Sequence, residues 1–240
     1  MRIDVLGVGF DNLQMDEAID AAGKMLDDGG RHYIVTPNPE IVWMCRDDER
    51  LCDIVNSADL VLADGVGITY GAKILGKPLK DRVPGIDFIS RLFGELKSSD
   101  KTVFLLGAKP GVADKAAENL REEYPGLKIV GTCDGYFQDD SVPIDKINSV
   151  KPDLLLVCLG CPKQEYWMHD NIDKLDVKLM AGLGGSLDVF AGVAERAPEK
   201  WQKLGLEWFY RLIKEPKRIT RMMKLPAFMF AVTGQRLRGR

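Results

Sequence analysis

The chain has 240 residues, 45% of them apolar and 29% charged, with a formal net charge of -3, a balance ordinary for a soluble globular protein with one sizeable core. Five cysteines, an odd number, and the lack of a charged-then-apolar leader make a reducing cytoplasm the expected compartment. The apolar run 225–232 is far below the roughly 20 residues needed to span a bilayer as a helix, so no transmembrane segment is expected.

From Arg2 to Gly9 the residues Ile3, Val5, Leu6 and Val8 predict a short strand, and the spacing of Ala18, Ile19, Ala22, Met25 and Leu26 predicts a helix over 16–26. Gly7-Val8-Gly9 is a dinucleotide fingerprint without its third glycine and reads better as a strand-end turn. His32 to Val35 is β-rich and stops at Thr36-Pro37-Asn38-Pro39-Glu40, where Pro39 suits the first turn of a helix. Thr36 and Asn38 thus sit at a strand-to-helix junction where backbone N–H groups converge. Asn38 there either meets a ligand or caps the helix.

Leu60-Val61-Leu62-Ala63-Asp64-Gly65-Val66-Gly67 reads as a buried strand ending at a carboxylate with glycines behind it. Ligands of open α/β sheets collect beyond the carboxyl ends of strands, so Asp64 is the leading candidate for chemistry. A helix over 68–75 follows, then a loop with two prolines, Pro78 to Asp87. In that loop Arg82 either grips a phosphate or pairs in solvent with Asp81 or Asp87. Thr102 to Leu106 is an apolar strand leading through Gly107-Ala108-Lys109-Pro110-Gly111 into a helix over 112–124, a candidate phosphate or nucleotide cradle that is neither a dinucleotide fingerprint nor a Walker loop.

Two further strands are expected at 128–131 and 153–159. The second ends in Gly160-Cys161-Pro162-Lys163-Gln164-Glu165 with a helix starting near Pro162, where Gln164 is placed to contact ligand and Glu165 to cap. Cys158 and Cys161 have redox spacing, but without a second pair or a nearby His they read as core and turn residues. A last strand at 179–183 ends in Gly184-Gly185-Ser186. Strands alternating with helices argue for a Rossmann-like α/β fold, a mostly parallel sheet with helices on both faces.

From Ala194 onward strand signals stop. Residues 196–240 hold twelve Lys or Arg against three Glu, leaving the preceding 195 residues with an excess of twelve acids. Two helical segments are expected, 201–214 and 216–224, the second with Lys217, Arg218, Arg221 and Lys224 on one face. A basic tail on an acidic body predicts an anionic partner.

Six blocks, taken in order, resemble those of the WecG/TagA/CpsF bacterial glycosyltransferases. They are Thr36-x-Asn38, Ala63-Asp64-Gly65, Arg82-Val83-Pro84-Gly85, Leu106 to Gly111, Leu159 to Glu165, and a long C-terminal block. The last runs from Arg196-Ala197-Pro198 through Glu207-Trp208-Phe209-Tyr210-Arg211-Leu212 to Glu215-Pro216-Lys217-Arg218. The resemblance covers nearly the whole chain and is closest to the branch that builds the teichoic acid linkage unit. Pro37 and Cys161 depart from the common pattern without removing a polar group.

The resemblance implies transfer of N-acetylmannosamine from its UDP donor to GlcNAc on undecaprenyl diphosphate, with inversion, in teichoic acid or related surface-polymer synthesis. The uronic acid relative of the donor, or another UDP-hexose, is the alternative. It further implies Asp64 as general base, with Thr36, Asn38 and Gln164 lining the pocket. Arg82 would contact the donor region, and Arg211, Arg218 and Arg221 the diphosphate; Gly65, beside Asp64, and Gly107 and Lys109, in the phosphate cradle, are the further substrate-binding candidates. One acid in Ala63-Asp64-Gly65 does not make the usual two-carboxylate metal site, so neither metal nor cofactor is expected, and cations would stabilise the leaving UDP. Residues 1–195 are then a catalytic α/β domain that folds by itself. Residues 196–240 form an appendage that docks on the cytoplasmic membrane leaflet and completes the site. Peripheral attachment and a homo-oligomer off the membrane fit this reading. The more remote alternatives are a nucleotide-cofactor oxidoreductase, whose glycine fingerprint is lacking here, and a non-catalytic anion-binding module; nucleic acid is not an expected partner.

Overall fold

Six short apolar runs build the centre of the molecule: β3 (His32–Val35), β4 (Leu60–Val61), β5 (Thr102–Gly107), β6 (Lys128–Cys133), β7 (Leu154–Cys158) and β8 (Leu179–Gly182). In the computed structural model, which describes residues 1–214, 216, 219 and 224–238 and only the backbone of residues 203 and 211, they form one sheet. Its order is β4-β3-β8-β7-β5-β6, with every neighbouring pair parallel. Successive side chains leave a strand on opposite faces, so Leu154 and Leu156 enter one core while Leu155 and Val157 enter the other. Both faces of the central strands are covered, which is why β5, β7 and β8 read as continuous apolar runs, whereas β6, at the sheet edge, alternates between exposed and buried residues.

One face is covered by α1 (Met15–Asp27), α5 (Gly85–Leu96), α6 (Val112–Glu123) and α9 (Ser186–Phe190). The other carries α2 (Pro39–Cys45), α3 (Glu49–Ser57), α4 (Val66–Ile74), α7 (Ser141–Val150) and α8 (Lys163–Asn171). The Rossmann-like α/β expectation is met, with strand starts and ends within a few residues of their predicted places.

The first expected strand is instead two. β1 (Arg2–Val5) and β2 (Val8–Asp11) pair antiparallel around Leu6 and Gly7, whose φ values of 55° and 89° are those of a tight hairpin turn. Asn56 holds that turn, accepting from the Gly9 N–H and donating to the Gly7 carbonyl, both at 2.9 Å. Gly7-Val8-Gly9 is therefore hairpin geometry, in line with its reading as a turn.

Beyond residue 195 the chain forms α10 (Glu199–Lys203), α11 (Glu207–Lys214) and α12 (Lys224–Leu237). The expected single helix over 201–214 is split by a turn at Gly205, φ 69°. The expected helix over 216–224 lies almost wholly outside the described residues. In α12, Phe228 and Val232 are fully buried and share a core with the hairpin, α2 and α4. Gln235 accepts from the Leu6 N–H at 3.1 Å and donates to Asp4 at 2.8 Å, and Arg236 donates to the Leu75 carbonyl at 2.9 Å. Part of the core of residues 1–195 is thus covered by α12.

Candidate active site

Backbone bonds continue past the formal end of β4. Leu62 N–H donates to Val35 O at 2.9 Å, Asp64 N–H to Pro37 O at 3.3 Å, and Val83 N–H to Ala63 O at 3.0 Å. Asp64 is therefore held, partly exposed, between the Thr36–Asn38 loop and the Arg82–Val83 loop, at the carboxyl edge of the sheet.

Gly65 follows at φ 120°, a conformation that a side chain would strain. Gly67 has a different reason to be glycine: a Cβ there would lie 2.6 Å from Cγ of Pro39 and 3.1 Å from Cδ1 of Leu225. The space beside Gly67 is taken by protein.

Asn38 does cap α2, its Oδ1 accepting from the N–H groups of Glu40 at 2.9 Å and Ile41 at 3.2 Å. The cap uses the carbonyl oxygen alone, so the amide nitrogen is not committed to it. Thr36, buried, donates to the Gly182 carbonyl at 2.9 Å and so ties the end of β3 to the end of β8. Gln164, in the first turn of α8, is also buried; its Oε1 accepts from the Gly184 N–H at 2.9 Å. Thr36, Asn38, Asp64 and Gln164 thus occupy adjoining strand ends.

Among the described residues the ion pair of Arg82 is with Glu207 of α11, at 3.2 Å, while Arg196 lies 4.0 Å from the other Glu207 oxygen and 2.5 Å from Asp87. The solvent pairing of Arg82 with Asp81 or Asp87 is replaced by a link between body and tail. The turn at Gly205 rests on Val66, whose side chain would be 3.0 Å from a Cβ there, so the tail also borders Asp64 through the start of α4.

Gly107 and Lys109 lie further along the same edge. Four steps separate β4 from β5, roughly 19 Å at about 4.8 Å per strand. Gly107, φ 132°, is glycine because the carbonyl of Cys158 occupies the position a side chain would need. The side chain of Arg211 and all of Arg218 and Arg221 lie outside the described residues.

Burial pushes the pKa of the Cys158 thiol up to about 12 and also raises that of Cys161, so both stay protonated, as core and turn cysteines do. Among the described residues no three His, Cys, Asp or Glu side chains gather as a metal site. A groove of about 810 Å³ between α1 and α5 is no rival site for a nucleotide diphosphate. Asp16, Asp20, Asp27, Asp28 and Glu95 line it against only Lys24 and Arg91.

Sequence reasoning missed two acids. Glu165, expected as a cap, is fully buried beside Gln164, and the partner of Glu207 lies 125 residues earlier in the chain. Burial raises the Glu165 carboxyl above its ordinary value.

The model of the glycosyl transferase WecG/TagA/CpsF family matches residues 3–240. A protein of Bacillus spizizenii is 38% identical over 207 residues, covering 86% of this chain and 80% of its own. One of Staphylococcus aureus strain MRSA252 is 35% identical over 234 residues, covering 96% and 92%. Each bears the name N-acetylglucosaminyldiphosphoundecaprenol N-acetyl-beta-D-mannosaminyltransferase.

Proposed function

The chain belongs to the WecG/TagA/CpsF glycosyl transferase family, and from that premise we propose that it moves N-acetylmannosamine from UDP to GlcNAc on undecaprenyl diphosphate. The observation that carries the reading is the meeting of Asp64, Thr36, Asn38 and Gln164 at one sheet edge, in a chain whose relatives carry that activity in name along most of their length.

Asp64 takes the proton of the acceptor hydroxyl as its oxygen attacks the anomeric carbon. The bond from that carbon to the UDP oxygen breaks on the opposite side, and UDP leaves with the electron pair. One displacement inverts the centre. Gly65 leaves Asp64 open to the acceptor, and Arg82, with Arg211, Arg218 and Arg221, balances the charge growing on the diphosphate. Gly107 and Lys109 serve the far end of the donor. Neither metal nor cofactor takes part.

The tail brings the site to its lipid. No helix among the described residues is long and apolar enough to cross a membrane. Leu204, Phe209, Phe230 and Leu237 are exposed in a tail rich in Lys and Arg, which suits attachment to the inner face of an anionic membrane.

UDP release with a panel of UDP-sugars and a GlcNAc diphosphate lipid tests the reading and separates the acetamido donor from its uronic acid relative. Asp64→Asn is expected to keep the fold and lose ~10²-fold or more in rate. Near-native turnover by that variant moves the base elsewhere, and loss of turnover on chelation brings a metal into the reaction.

A further inference from the structure

Glu165 is an acid placed where acids are rare. It is fully buried, its Oε2 has no hydrogen-bond partner of normal geometry among the described residues, and its Oε1 accepts from Nε2 of Gln164 at 2.9 Å. The thiol of Cys161, a weak donor, lies beside it. A carboxyl so poorly compensated in a core costs stability, and a group that costs stability calls for a task.

The task is legible in the neighbouring amide. Gln164 Oε1 accepts from the Gly184 N–H, and its Nε2 sits where a Cβ on Gly182 would be 3.1 Å away. Were oxygen and nitrogen exchanged, two donors would face each other at Gly184 and two acceptors at Glu165. With the Glu165 oxygen as acceptor, only one orientation satisfies both ends.

We propose that Glu165 is a positioning residue that locks the side-chain amide of Gln164 in a single orientation at the sheet edge. Resting on the reading of Gln164 as a pocket residue, this makes Glu165 act on the reaction through Gln164 without touching substrate. The lock is tied to the end of β3 as well, since Gly182, whose α-carbon side faces the amide, has its carbonyl accepting from Thr36.

The experiment uses the full chain and its variants Glu165→Gln, Glu165→Met, Gln164→Ala and the double variant Glu165→Met with Gln164→Ala. Glu165→Gln keeps an acceptor oxygen and is expected within about threefold of native kcat, whereas Glu165→Met loses about 10- to 100-fold in kcat with little change in KM for the donor. With Gln164 already alanine, Glu165→Met is expected to cost nothing more. Native kcat in Glu165→Met, or losses that simply add, overturns the proposal.

A second measurement needs neither a variant nor turnover. In the unaltered chain the side-chain amide protons of Gln164 are expected to exchange slowly by NMR, and exchange as fast as that of an exposed glutamine overturns the proposal. If the amide is locked but no UDP-sugar is turned over, the functional reading fails while the positioning contact stands.

Discussion

Two helices beyond residue 195 are held to the body by opposite means. α12 is inserted: Phe228 and Val232 are fully buried, and its polar bonds reach the hairpin and Leu75. α11 is tethered: Glu207 links it to Arg82 and Arg196, Lys214 pairs with Glu195, and Trp201 of α10 packs against Phe209 and Tyr210. Apolar burial is insensitive to screening by salt, whereas partly exposed ion pairs are weakened by it. The tail therefore divides into a part that belongs to the fold and a part that the surroundings can loosen, and the loosened part is the one that touches Arg82.

The largest effect on this contrast is expected from Phe228→Ala, which empties a core position and should cost about 3–5 kcal/mol, read as a lower melting temperature. An unchanged melting temperature would mean that α12 is tethered too. Gly67→Ala should follow at about 1–3 kcal/mol, because its methyl meets the rigid Pro39 ring and Leu225. Glu207→Gln should change global stability by only about 1 kcal/mol or less while speeding tryptic cleavage around α11, and high salt should do the same to the unaltered chain. Equal cleavage in both forms would show that the aromatic packing alone holds α11.

The smallest effect is a response to acid. Hydrogen bonding and charge from Lys214 hold the Glu195 carboxyl below its ordinary value of 4.5. A lowered folded value means that the contribution is complete above 4.5 and is lost as pH falls through the folded value. Proteolysis of α11 should rise below that range while the α12 contacts persist.

The strand-then-polar pattern located Thr36, Asn38, Asp64 and Gln164 because a parallel sheet presents all its carboxyl ends on one edge, so local reading is enough. It did not give the partner of Arg82, since no local pattern reports an acid 125 residues away. It merged the hairpin into one strand because Leu6, an apolar residue, occupies a positive-φ turn position where glycine or asparagine is the usual sign. The run 225–232 showed its apolar character but not its destination, which depends on the small residue Gly71 opposite Phe228. Glu165 stood in a legible motif, yet its burial is a property of the folded sheet.

The docking of α12 on the first hairpin also sets a timetable. Gln235 meets Leu6 across 229 residues of chain, which a ribosome adding about 5–20 residues per second needs roughly 11–46 s to make. Through that interval Val5, which shares the Gly71 contact with Phe228, lacks its final cover. The nascent hairpin is thus a waiting surface, and the birth of the enzyme closes from its last described helix back onto its first turn.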